Sequence, residues 1–151
     1  MVNFLIATHG RLAEGFRDTM RILMGDEICE RLSTINAFAE GDTSDPKQAI
    51  SEACMDVKPD DQLIIFTDVM YGSVNQFVMP CINERIFVIT GVNFPLLLEV
   101  ISKYSFDQDA KVDEDVLRED VKKSRMQIIY VNDEMKKNHD SETNDESEFF
   151  D

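Results

Sequence analysis

The chain has 151 residues, room for one domain with a single core and too few for two full domains. Its hydrophobic content of 43% is that of an ordinary globular protein and excludes disorder throughout. The formal charge of −15 has the wrong sign for a surface that neutralises nucleic-acid phosphates, so nucleic acid is excluded as a partner.

Apolar runs of strand length alternate with segments of helical period, the form taken by a parallel sheet covered on both faces. Val2 to Ala7 is the first such run, and it starts beside Met1 with no basic leader ahead of it. Leu12, Phe16, Met20 and Leu23 then recur at helical spacing, with Gly25 placed to end the helix. Arg31 to Asn36 predicts a weaker second strand. Asp45 before Pro46 predicts an N-cap with proline at the first helical position, opening a helix along Ala49, Ile50, Ala53 and Val57.

Leu63 to Phe66 is the third strand. Ser73 and Gln76 form a capping-box pattern ahead of a short third helix, which Pro80 should kink or cut short. Ile86 to Ile89 is the fourth strand; Pro95 opens a helix through Leu96, Leu97, Val100 and Ile101, and a charged fifth helix is expected through Val112, Val116 and Val121. Met126 to Val131 reads as one more strand. From Asn132 to Asp151 eight acids and two lysines give a net −6, leaving −9 for the rest, and this stretch is expected to be a disordered tail. Residues 1–131 would then form one domain and 132–151 its acidic extension.

No apolar stretch approaches the roughly 18 residues of a membrane span, and the reading is of a protein neither exported nor membrane-spanning, at home in the cytoplasm. Cys29, Cys54 and Cys81 are odd in number and widely spaced, which fits small buried hydrophobes better than a disulfide framework or a zinc site.

In an open parallel sheet, reactive groups collect at the carboxyl ends of the strands, where the strand order reverses. Strand one ends in Thr8-His9-Gly10, strand three in Thr67-Asp68 with Gly72-Ser73 following, and strand four in Thr90-Gly91-Val92-Asn93. A flavodoxin-like order makes strands one and three neighbours and brings His9 to Asp68. A carboxylate that accepts the Nδ1 proton fixes the imidazole tautomer and leaves the Nε2 lone pair as a nucleophile. Asp68 would also stabilise the cationic ring formed in transit. Backbone N–H groups near Gly72 and Ser73, with Gly10 beside the histidine, are candidate phosphate-binding groups. Taken singly, each has a plainer reading: a satisfied polar histidine, a turn aspartate, an N-cap serine. Arg11 could help an incoming phosphate or be simply a solvated arginine. The scheme calls for no metal and no cofactor.

At these residues the chain resembles the mannose-type IIA component of the bacterial phosphoenolpyruvate-dependent sugar phosphotransferase system, from Met1 to about Val131. The segments that carry the resemblance are Ile6-Ala7-Thr8-His9-Gly10 with Leu12-Ala13-Glu14, Leu23-Met24-Gly25, Thr67-Asp68 through Gly72-Ser73, and Gly91-Val92-Asn93-Phe94-Pro95-Leu96. The resemblance implies a phosphotransferase in which His9 is the phosphorylated histidine, Asp68 orients it, and Ser73 meets the phosphate. It implies phosphorylated HPr as donor, a IIB component on a separate chain as acceptor, and the membrane sugar permease as an indirect partner. It also implies a homodimer whose last strand, Met126 to Val131, runs antiparallel on the partner's sheet. Met70, Tyr71, Val74 and Pro80 depart from the family pattern in the wall of the pocket.

A histidine phosphatase would need an arginine before the strand-end histidine and a second catalytic histidine. Here Thr8 precedes it and the other histidine, His139, lies in the tail. A flavin-binding domain would need a hydroxyl-rich loop after strand one, and a receiver domain an acidic cluster there. A regulatory relative that uses His9 phosphorylation only as a signal could keep the same residues.

Overall fold

Successive side chains of a strand point to opposite faces of the sheet, and in β1 (Val2–His9) that alternation sorts the whole core. The computed structural model describes residues 1–136. Val2, Phe4 and Ile6 face one apolar cluster, built with α1 (Leu12–Met24), α4 (Phe94–Ser105) and α5 (Glu114–Arg125). Leu5 and Ala7 face the other, built with α2 (Pro46–Met55) and α3 (Ser73–Val78). The sheet is thus covered by helices on both faces, which is why its inner strands read as unbroken apolar runs. Fully burying each large aliphatic or aromatic side chain contributes about 1.5–3 kcal/mol, and Phe4, Ile6, Ile64 and Phe66 are all shielded from solvent.

The sheet is entirely parallel, in the order β2 (Leu32–Ala37), β1, β3 (Gln62–Thr67), β4 (Ile86–Thr90). This is the flavodoxin-like order expected from the sequence, with the reversal between β1 and β3. Both strands end on the same side, Ala7 pairing with Thr67, so the residues that follow them emerge together.

Local chemistry explains the helix boundaries. The Asp45 carboxylate accepts from the Lys47 N–H, and Pro46 takes the first helical position, where its missing N–H costs nothing. The Asn93 side chain accepts from the Leu96 N–H, and Asp113 accepts from Asp115 and Val116. Gly25 ends α1 at φ +88°, a conformation that suits a residue without Cβ.

Four details differ from the sequence reading. The second strand starts one residue later, at Leu32, because the Arg31 backbone still closes the short helical turn Asp26–Glu30, its N–H donating to Ile28 O at 3.1 Å, while its guanidinium donates to the carbonyls of Val2, Tyr104 and Ser105. Val112 lies ahead of α5, whose cap is Asp113. Gly72, not Ser73, caps α3; Ser73 is its first helical residue, and Gln76 donates to the Tyr71 carbonyl instead of closing a capping box. Within this single chain, Met126 and Gln127 form a turn, 128–130 is irregular, and the backbone is helical over 131–136, so Met126 to Val131 makes no ladder of its own. The remainder of the tail, 137–151, lies outside the described residues. No described helix is long and apolar enough to cross a membrane.

Candidate functional site

Two strand ends deliver the first two groups. His9 closes β1, and Asp68 immediately follows β3. One carboxylate oxygen, Asp68 Oδ2, lies 2.9 Å from the His9 backbone nitrogen and 2.9 Å from its ring Nδ1. An ionised carboxylate only accepts, so the contact places the ring proton on Nδ1 and leaves Nε2 unprotonated. The second oxygen, Oδ1, accepts from the Val69 N–H at 2.9 Å. Burial pushes the Asp68 carboxyl up, but the hydrogen bonds from the His9 backbone and ring, the charge of His9 and the Val69 N–H outweigh it and hold the group below the usual carboxylate value.

Ser73 supplies the third group. Its Oγ stands 3.3 Å from His9 Nε2, the side on which the lone pair projects. The hydroxyl that the capping box would have used is directed at the imidazole, and the helix begins from Gly72 without a side-chain cap. Gly72 also permits close approach: a Cβ there would lie 2.8 Å from His9 Cε1 and 3.3 Å from the Val69 carbonyl oxygen. Its own N–H is committed to Val69 O at 3.1 Å. Gly10, at φ +58°, likewise gives its N–H to Ala37 O at 2.8 Å. Gly72 therefore shapes the site by lacking a Cβ and Gly10 by its left-handed backbone, and Ser73 is the group at the helix start that reaches the ring.

Buried hydroxyls hold this arrangement from behind. The Thr8 hydroxyl oxygen accepts from the Ala13 N–H at 2.8 Å and ties α1 to the end of β1. The Thr67 hydroxyl donates to Asn75 Oδ1 at 2.8 Å, while Asn75 Nδ2 donates to the Met70 carbonyl at 2.8 Å, bracing the loop that carries Asp68 and Gly72. Asn75 went unnoticed in the sequence; a polar residue amid Val74, Phe77 and Val78 was the available signal.

Phe38 was also missed. It follows the last residue of β2, is 60% exposed, and adopts φ +59°. Its ring lies against the His9 imidazole, with centroids 6.0 Å apart and planes at 29°. A left-handed backbone on an aromatic residue costs about 1–3 kcal/mol, and nothing in the composition of Ala37-Phe38-Ala39 announces it.

The imidazole is open to solvent, its side chain 41% accessible, and in the segments that follow the ends of β1, β2 and β3 the side chains of Leu12, Phe38, Val69, Met70 and Tyr71 are exposed. A hollow of about 500 Å³ runs along α1 between Arg11, Arg17 and Arg21, and His9 stands outside its lining. Arg11 is exposed and 3.6 Å from Glu14. Among the described residues no three His, Cys, Asp or Glu side chains converge as a metal would require. Cys54 is pushed up to about 12 by burial and by its contact with Cys81, which keeps it an inert thiol.

The family described as the PTS system fructose IIA component matches residues 3–118. Among solved structures, the IIA protein associated with a fucose utilisation operon of Streptococcus pneumoniae is 23% identical, with a TM-score of 0.72 over 89% of this chain and 96% of that one. The phosphotransferase system component EIIA of Streptococcus agalactiae is 20% identical, with a TM-score of 0.70 over 87% and 98%. The mannose/sorbose-specific IIA subunit of Enterococcus faecalis is 13% identical, with a TM-score of 0.64 over 84% and 92%. At these identities the structures establish the fold alone, whereas the family match spans most of the chain, including His9, Asp68 and Ser73. The chain is therefore a member of the fructose- and mannose-type IIA family of the sugar phosphotransferase system.

Proposed function

We propose that this protein carries phosphoryl groups on His9 for a sugar uptake system in the cytoplasm. The observation that carries the reading is the doubly held contact between His9 and Asp68 Oδ2, which leaves the Nε2 lone pair to face Ser73 Oγ on a side chain 41% accessible to solvent. Phosphorylated HPr is the donor and a IIB component on a separate chain the acceptor, with the sugar permease reached through IIB. An open, apolar rim suits a reaction between two protein surfaces better than one inside a closed pocket.

In the first transfer the Nε2 lone pair forms the new N–P bond as the donor's N–P bond breaks, and that electron pair returns to the donor imidazole. His9 keeps its Nδ1 proton and becomes cationic, and the Asp68 carboxylate compensates the charge. Ser73 Oγ, which hydrogen-bonds the bare Nε2 at 3.3 Å, then donates to a phosphoryl oxygen. Gly72 and Gly10 leave room for that group beside the ring. The second transfer runs the same steps outward to IIB.

Residues 1–131 are the carrier domain in this reading, 132–151 an appendage, and the working form a homodimer. Incubation with phosphorylated HPr should label the wild-type protein and leave His9→Ala unlabelled. Because protonating a phosphoimidazole makes it a better leaving group, the label should be lost in acid and survive alkali. A label that survived acid, or that appeared on His9→Ala, would overturn the assignment.

A further inference from the structure

His9 is held at Nδ1 by Asp68, approached at Nε2 by Ser73 and bordered at Cε1 by the Gly72 backbone. These contacts all act at the ring's edge. The aromatic ring packed against the imidazole belongs to Phe38. Its placement is built into the strand register: His9 pairs with Ala37, and the Gly10 N–H donates to Ala37 O, so the residue after Ala37 emerges beside the histidine.

Two features show that Phe38 is not there for ordinary structural reasons. Its positive φ falls at the third position of a turn closed by the Ala39 N–H on Asn36 O at 3.3 Å, where glycine or asparagine would sit without strain. Its side chain is 60% exposed, so little burial offsets that strain. A strained conformation held at a reactive group points to a task at that group.

We infer that Phe38 is a positioning residue for His9: its ring holds the imidazole in the plane that keeps Nδ1 on Asp68, and favours the cationic ring formed during transfer. The electron-rich face of a phenyl ring attracts a cation, and an aromatic wall restricts rotation about the His9 side-chain bonds. The inference rests on the reading of His9 as the phosphoryl acceptor. It assigns Phe38 no contact with the phosphoryl group itself.

The test compares wild type, Phe38→Asn and Phe38→Tyr. Asparagine accepts a positive φ, so Phe38→Asn should fold with a Tm at or above that of wild type while losing the ring. At saturating phosphorylated HPr it should transfer about fivefold more slowly, the scale of one exposed ring–cation contact. KM should be little changed, and Phe38→Tyr should restore the rate. In NMR spectra the His9 ring protons should move when the neighbouring ring is removed, and the imidazole nitrogens should report a mixture of tautomers. Wild-type rates and unchanged His9 signals in Phe38→Asn overturn the inference. So does an effect confined to KM with unchanged signals, which would make Phe38 only a surface for the partner. A wild-type protein that takes up no phosphoryl group defeats the carrier reading instead, and the NMR comparison then decides by itself whether Phe38 positions His9.

Discussion

Asp68 Oδ2 receives both the backbone N–H and the ring Nδ1 of His9, each at 2.9 Å, so one oxygen fixes the end of β1 and the orientation of the imidazole together. Replacing Asp68 by asparagine preserves the shape but removes the charge that compensates a cationic ring. Transfer should fall by about 10²–10³, with circular dichroism unchanged. Wild-type rates in Asp68→Asn would remove the aspartate from the mechanism.

The same pair sets an acid limit on stability. The Asp68 carboxyl in the folded protein titrates below its ordinary value of 3.8. A carboxyl depressed on folding adds stability that is fully present above its unfolded value and is lost as pH falls through the folded one. From about pH 4 downward the stability gap between wild type and Asp68→Asn should therefore shrink, as the carboxylate that the pair depends on is protonated. Urea unfolding across that range reads it directly; a gap that widened in acid would contradict the depressed carboxyl.

Gly72→Ala separates fold from function. The added Cβ meets His9 Cε1 at 2.8 Å, and because the imidazole is the far end of a side chain it can swing aside. Stability should change little, whereas a misplacement of about 1 Å can cost about 10² in rate. A rapid-mixing transfer assay with a parallel thermal melt tests both halves. An unfolded Gly72→Ala would show that the nearby Val69 carbonyl, at 3.3 Å, is the contact that matters.

The strands were legible because a sheet buried on both faces writes itself as apolar runs, and Asp45 with Pro46 announced one helix by its cap chemistry while Pro95 alone announced another, whose Asn93 cap the structure adds. His9 and Asp68 were legible because the strand order forces adjacent strand ends together. Ser73 was found with the wrong local job: a sequence cannot say whether a hydroxyl turns to its own helix or to a ring 64 residues away. Phe38 was invisible for a deeper reason. Its position depends on a positive φ that phenylalanine disfavours, so local preference argues against the conformation that tertiary structure imposes.

The last prediction concerns the C-terminal region and assembly. β4 is one of the two outer strands of the sheet, and between it and α5 runs a groove of about 390 Å³ lined by Ile82, Phe87, Ile89, Leu117 and Val121 among others. On the same chain, Met126, Ile128, Ile129, Tyr130 and Val131 are exposed and make no ladder. An open strand edge and an apolar, β-branched segment are both liabilities until they are paired. Pairing the segment of each subunit with the β4 edge of the other would cover both surfaces at once. Residues 132–151 carry eight acids against two lysines, a net −6, and contribute few apolar side chains that could join a core. Ending the chain after Asp133 should therefore leave a phosphorylatable dimer, whereas ending it after Arg125 should give monomer or aggregate. Light scattering on the two truncations makes the comparison, and a well-behaved dimer lacking Met126 to Val131 would mean that the subunits associate through some other surface.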